Sequence, residues 1–446
     1  MSNNDKLDSL RETKGKLSRL IGQAKKRGEA IDILIVEMKA VSQQIKRLES
    51  NLVRQSNAVS QSNALDPKDR VKKPVPMLFA AINEIMPAAA TAQGSIVIKP
   101  CDSSQAQAWD AYVTEKADSS AYHFWYFREV IEQCFGHHTL YLASYDNEGA
   151  INGVLPLVQV NSRLFGHYYA SMPFFNYGGV LADNAAVAAR LLDHAVAQIG
   201  QGDAEHIEIR MVRPLQQLST DLADSWHTKQ HKITMLRALP ETSEQLWSDL
   251  GTKLRAQVKK SQRFELKIVF GKNELLNDFY TVFAHNMRDL GTPVYAKSFF
   301  HRLVALAGDR DIYFGVVYAG KRPVSCCFLI GHQQTLEIPW ASTLRSANFM
   351  NANMFMYWEI LQLAISKNYR FFDFGRSSPD ASTYRFKKQW GAKPYPLYWS
   401  YWLNDDESLP DVSPSNPKYQ LLIKIWRCMP VWLANMIGPQ VVKYLP

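Results

Sequence analysis

The residues best suited to chemistry lie in one stretch near the end of the chain. Phe371-Phe372-Asp373-Phe374-Gly375-Arg376-Ser377-Ser378 is followed by Thr383-Tyr384-Arg385-Phe386-Lys387-Lys388-Gln389-Trp390-Gly391. Aromatic residues around Asp373 read as a short buried strand that Gly375 ends. Ser377-Ser378-Pro379-Asp380 then turns the chain into a helix. On that helix Tyr384, Lys387 and Lys388 fall at i, i+3 and i+4, so they share a face. A carboxylate, a guanidinium and ammonium groups meeting at a strand-to-helix turn are what an open α/β sheet uses to bind substrates. The same spacing also fits a solvated basic helix with Asp373 capping a backbone amide.

Other groups invite the same two-sided reading. Glu337 lies mid-strand in Leu336-Glu337-Ile338-Pro339-Trp340, where an unpaired carboxylate is costly. Facing a cleft it becomes a general base; the register leaves its face open. Lys253, Arg255, Lys259 and Lys260 crowd one helix between the two halves of the chain, either as a solvated face or as a phosphate site. Arg288-Asp289-Leu290-Gly291-Thr292-Pro293 ends a helix as a cap, or as the wall of a cleft. Cys134 and His137-His138 lack the second pair that a metal site needs and read as a packed aromatic knot, so no metal is expected. No Ser/His/Asp order with a nucleophile elbow is present.

The totals bound what carries these groups. A chain of 446 residues exceeds one core and should split into two or three domains. Five cysteines with no metal-type spacing suggest a reducing compartment, and the N-terminal residues carry no apolar signal segment. The expected location is therefore the cytoplasm. The net charge of +9 is concentrated in residues 1–75, which hold 16 Lys/Arg against 9 Asp/Glu. There Leu7, Leu10, Leu17 and Ile21, then Leu34, Met38, Val41, Ile45, Leu48 and Leu52, predict an antiparallel coiled-coil hairpin over 1–55. A polar, Ala-rich linker over 56–94 follows. From Ser95 strands and helices alternate, roughly β-α-α-β-β-β-α-β in each of two parts, 95–240 and 241–402. This is the order of an acetyltransferase-type α/β domain, duplicated. The tail over 403–446 mixes Trp426, Trp432, Leu421, Leu422 and Ile425 with Lys424, Arg427 and Lys443. That composition suits a membrane surface at the inner face, or packing back onto the second domain.

Acetyl-CoA enzymes of this fold cradle the pyrophosphate in a Gln/Arg-x-x-Gly-x-Gly/Ala loop. Gly200-Gln201-Gly202 follows a helix and precedes a strand, the wrong direction. The corresponding slot, Thr343 to Asn353, has no glycine. No resident cofactor is expected; the acyl donor is a co-substrate.

Two resemblances sharpen the expectation. Lys16-Leu17-Ser18-Arg19-Leu20-Ile21-Gly22-Gln23-Ala24-Lys25-Lys26-Arg27-Gly28-Glu29 with Leu34 to Ala40 resembles the coiled-coil arm of seryl-tRNA synthetases, which implies a tRNA contact. Residues 95–402 resemble the Fem-type aminoacyltransferases, whose fold is two GNAT-like acyltransferase domains in tandem. Lys253-x-Arg255-x3-Lys259-Lys260, Asn353-x3-Tyr357-Trp358, Phe372-Asp373-Phe374-Gly375 and Phe386-Lys387 carry it. Tyr177-Gly178-Gly179, Met287 to Val294 and Phe374 to Ser378 resemble the Fem-related proteins associated with exosortase (PEP-CTERM) and exopolysaccharide gene clusters.

The resemblance implies transfer of an acyl group, typically from aminoacyl-tRNA, to an amine of a peptidoglycan or exopolysaccharide precursor. It implies Lys387 as the oxyanion stabiliser, with Asp373, Glu337 or groups of the substrate taking the proton. Arg376 and Arg385 would orient a phosphate or carboxylate. Tyr384, Phe386, Asn353, Tyr357, Tyr177, Lys253, Arg255, Lys259, Arg288 and Thr292 complete the expected binding set. Two rivals stay open: an acyl-CoA-dependent N-acyltransferase on an amino sugar, and a non-catalytic adaptor of a polysaccharide assembly complex.

Overall fold

The computed structural model describes residues 76–80 and 96–445 apart from 163–164, 216–224, 380, 405–408 and 411–416, together with scattered helical positions between 13 and 44. The chain divides into two units, residues 1–73 and 74–446. The predicted hairpin and linker lie outside the described residues, apart from those positions and a single helical turn at Met77–Ala80.

The larger unit is built on one 13-stranded sheet. Its first half runs β1 (Val97–Pro100), α1 (Ala106–Glu115), α2 (Tyr126–Phe135), β2 (Thr139–Tyr145), β3 (Ile151–Ser162), β4 (Gly166–Ala170), β5 (Leu181–Ala182), α3 (Ala185–Ile199), β6 (His206–Met211) and β7 (Trp226–Ala238). The second half opens with α4 (Ser243–Asp249), α5 (Thr252–Ser261), β8 (Leu266–Gly271), α6 (Leu276–Leu290) and α7 (Lys297–Leu306). It continues through β9 (Ile312–Ala319), β10 (Arg322–His332), β11 (Thr335–Thr343), α8 (Ala352–Ser366), β12 (Phe371–Ser377), α9 (Ser382–Gln389) and β13 (Lys393–Leu403). Helices α10 (Pro417–Cys428) and α11 (Val431–Val442) follow.

The strand order is β1-β2-β3-β4-β6-β13-β7-β12-β11-β10-β9-β8, with β5 on β3. Each half thus repeats one plan: four antiparallel strands, then a parallel pair, β4 with β6 and β11 with β12. The last strands are exchanged. β7 leaves the first half to pair with β12, and β13 leaves the second to pair with β6. Neither strand figures in the expected order. β13 carries Pro394 and Pro396, residues that argue against an interior strand; they stand opposite Met235 and Ile233 of β7.

On one sheet face α1, α2, α6 and α7 share a core that runs across both halves, rich in Trp109, Phe127, Phe279, Phe300 and Phe328. On the other face α3 covers the first half, and α5 with α8 covers the second. Helix α6 shows why: Leu276, Phe279, Val282 and Phe283 recur on one stripe and are buried.

Candidate active site

Parallel pairing of β11 and β12 runs from Thr335 opposite Phe371 to Glu337 opposite Asp373 and stops there, although β11 continues to Thr343 and β12 to Ser377. Beyond that pair the strands part and leave a cleft of about 350 Å³. Its walls are Tyr122, Asn176, Thr292, Tyr295, Trp340, Arg376 and Lys387, with Val442 at the end of the C-terminal helix and Leu445 beyond it. In the first half β4 and β6 part after Ala170 opposite Glu208, but the following loop fills the gap. Ser171 N donates to Glu208 O at 2.8 Å and Gly178 N to Arg210 O at 3.1 Å.

Gly375 does not end the strand; it makes a bulge. The register against β7 breaks between Asp373 and Arg376, and Gly375 sits at φ 74°, a conformation that favours glycine. The bulge has two effects. Gly375 N turns inward to donate to Asp373 Oδ1 at 2.8 Å, and the carbonyls of Gly375 and Arg376 turn toward α9. Lys387 Nζ donates to both carbonyls at 2.8 Å. An ammonium has three donors, so one N–H remains for a ligand in the cleft. Burial pulls the Lys387 amine down to about 8, against the opposing pull of Asp373.

Behind the lysine is a buried acid pair. Tyr177 Oη lies 2.9 Å from Asp373 Oδ2 and 3.1 Å from Glu337 Oε2. Thr234 of β7 donates to Asp373 at 2.6 Å, and Asn176 Nδ2 donates to Glu337 at 3.2 Å. Burial, then the charge of Asp373, pushes Glu337 up to about 8; burial raises Asp373 as well. Two neighbouring carboxyls out of water do not both ionise readily. Glu337 lines a second cavity of about 130 Å³ with His332, Ser119 and Phe79. Tyr122 stands in the cleft wall with its buried hydroxyl beside Glu337, a contact that favours the ionised carboxyl.

Arg376 opens onto the cleft, and its guanidinium lies 5.1 Å from the ring of Trp399, which Arg210 approaches at 4.3 Å. Arg376 is the exposed residue of β12, and the crowding walls, then repulsion from Arg210, pull its guanidinium below the usual value. The first half holds an instructive counterpart: Glu208, in the last parallel pair, is bound by Arg210 two residues on. In the second half the bulge separates Asp373 from Arg376 and leaves the arginine without a carboxylate partner among the described residues.

The other expected residues divide. Thr292 is in the cleft wall and Tyr177 is buried behind it. Tyr357 stacks on Phe374 (5.6 Å between ring centres) and meets Phe386 edge-on (5.0 Å), bracing α9 from the far side of β12. Arg288 is engaged with Asp289 and with Met429 O. Arg385 is exposed, Tyr384 and Asn353 are half-buried, and none of the three lines the cleft. Lys253, Arg255 and Lys259 lie on α5, which packs on the other sheet face, and do not line the cleft either. His137 Nε2 donates to Lys443 O at 2.7 Å, a structural bond. Tyr122, Asn176 and Thr234 were absent from the expected set. Asn176 sits in the aromatic turn beside Tyr177, and Thr234 in a strand the sequence pattern hides.

Residues 249–388, which include Glu337, Asp373 and Lys387, match the acetyltransferase (GNAT) domain family. Among curated proteins no sequence matches the chain. Among solved structures FemX is similar at a TM-score of 0.56 and 13% identity, covering 73% of this chain and all of its own. The C-terminal domain of a protein described as a lysylphosphatidylglycerol synthetase, from Agrobacterium fabrum, is similar at 0.48 and 11% identity, covering 68% of this chain and 92% of its own. A tandem GNAT protein from the clavulanic acid biosynthesis pathway is similar at 0.44 and 10% identity, covering 69% and 98%. Residues 249–388 therefore form a GNAT domain, and the chain is an acyltransferase whose doubled fold is that of FemX.

Proposed function

We infer that the chain transfers an acyl group from an ester, an aminoacyl-tRNA, to a primary amine of a cell-envelope precursor of the peptidoglycan or exopolysaccharide kind, on the cytoplasmic side of the membrane. The observation that carries this reading is Lys387: a desolvated ammonium at the cleft floor, fixed by two carbonyls, with one donor left over. The Fem-type resemblance supports the donor and the acceptor.

The amine nitrogen attacks the ester carbon, and the carbonyl π electrons move to oxygen, where Lys387 donates to the oxyanion. An amine arriving as ammonium must first lose one proton. Tyr122 passes it to Glu337, and the second cavity leads it to solvent. The second N–H proton leaves with the departing alcohol oxygen as the C–O bond breaks. No covalent enzyme intermediate is required. Arg376 binds a phosphate or carboxylate of the substrate.

Arg376→Ala should raise KM about ten- to a hundredfold with kcat nearly unchanged, the loss of one charge-assisted contact made equally in ground and transition states. A fall in kcat at constant KM would instead place Arg376 on the reacting atoms.

The acyl-CoA reading keeps one observation in its favour, the GNAT family match itself. Against it, the segment between β11 and α8 is a 3-10 turn, Arg345–Met350, without glycine. The purified chain should be offered charged tRNA or acetyl-CoA with amine-bearing precursors, and the precursor mass followed. Thiol release with acetyl-CoA and no transfer from tRNA would overturn the proposed donor.

A further inference from the structure

Helices α10 and α11 have two unlike sides. The inner side is bound to both halves of the enzyme. Trp426, Ala434 and Val442 are buried, and Gly438 approaches so closely that a Cβ there would fall 2.8 Å from Val294 N. Arg288 Nη1 donates to Met429 O at 2.8 Å, Arg427 Nη2 to Leu290 O at 3.1 Å, and Lys443 O meets His137. Val442 and Leu445 then form part of the cleft wall.

The outer side is apolar and bare. Leu421 is 64% exposed and Trp432 68%, and Leu422, Ile425 and Met436 are exposed beside them. These are five of the eleven exposed large hydrophobic residues among the described residues, gathered on two adjoining helices. The segment 417–446 contains Lys418, Lys424, Arg427 and Lys443 and no Asp or Glu. Lys424 is exposed next to the apolar side chains, and Arg427, also exposed, keeps donors free beyond those that meet Leu290 O.

An occupant of this face must offer both apolar depth and negative charge. A second copy would set one acid-free basic segment against another, which like-charge repulsion opposes. A bilayer with anionic headgroups offers both: aliphatic and indole side chains enter the acyl boundary while Lys and Arg meet phosphate. No helix among the described residues is long and apolar enough to cross a membrane, so the contact is a surface one.

We propose that the outer side of α10 and α11 docks on an anionic lipid surface and sets the cleft, walled in part by the end of the same segment, against the headgroup layer. The acceptor would then be an amine carried on a lipid; that clause alone rests on the acyl-transfer reading. Docking stands on the tail.

The test is co-sedimentation of the full chain with vesicles of phosphatidylcholine, with and without phosphatidylglycerol. Binding should require phosphatidylglycerol and weaken with salt. The double variant Leu422→Glu, Trp432→Glu alters exposed positions only, so the fold should hold by circular dichroism. Its vesicle affinity should fall at least about tenfold, two large apolar contacts being lost. Its turnover on a soluble amine should be unchanged, and its turnover on the same amine displayed on vesicles should fall with binding. Wild-type protein that stays in the supernatant, or a variant that binds as wild type, would overturn the proposal. So would light scattering that shows a dimer broken by the variant, which would make the face a self-interface. Vesicle binding as expected, with no acyl transfer to any amine, would keep the docking and sink the acyl-transfer reading.

Discussion

Lys387→Ala should lower turnover by about a hundred- to a thousandfold, the cost of one lost oxyanion donor. Lys387→Met, which keeps the volume, should lose as much, and circular dichroism should show both variants folded. The pH dependence makes the test sharper. Lys387 titrates at about 8, so the wild-type rate should fall as pH rises through that value and the ammonium is lost. Glu337 must be ionised to accept a proton, and it too titrates near 8, so the rate should first rise there. The two limbs make a narrow bell. A reversed assignment, a protonated Glu337 with a neutral Lys387, gives the same bell. The alanine variant separates the two. Loss of the descending limb fits an oxyanion donor, whereas loss of the ascending limb would make Lys387 the base and end the present mechanism.

Glu337→Gln should cost about a hundredfold or more at the optimum, the range for a general base, and should abolish the ascending limb. It should also change stability in a predictable direction. The folded protein holds a proton on Glu337 up to about 8, while the unfolded chain releases it in the ordinary carboxylate range. Between those values the folded state binds more protons, so wild-type stability falls as pH rises. Glutamine cannot ionise, so the variant should lose less melting temperature than wild type between pH 5 and pH 8. Equal slopes for the two proteins would show that Glu337 ionises normally and that the buried pair is not what shifts it.

How much of this could be read in advance depended on which force wrote the signal. Apolar periodicity marked Ala185–Ile199 as a helix, as found, and gave β12 its Phe372-Asp373-Phe374 alternation. It could not show β7, whose first half, His227 to Lys232, is polar and partly exposed, or β13, whose prolines imitate a loop. Those are the exchanged strands, and what holds them is pairing across the sheet rather than any local preference. The site suffered the same way. Asp373, Lys387 and Arg376 were visible because they stand in one stretch. Thr234 was not, because it reaches Asp373 from the strand the pattern hid. Glu337 was visible as an odd carboxylate in a strand, but only the register of β11 against β12 gives its face. The charged run on α5 was legible too, but other elements line the cleft.

The exchange of β7 and β13 also bears on how the enzyme can move. Two lobes joined by a linker can hinge open to admit a large substrate and shut over it. Here each lobe carries the other's closing strand, and the ladder between those two strands crosses the midline, shifted in register between Leu397 and Trp399. Swinging the lobes apart would mean tearing that ladder. Substrate traffic must therefore be governed from the rim, by parts able to lift away singly, rather than by a jaw.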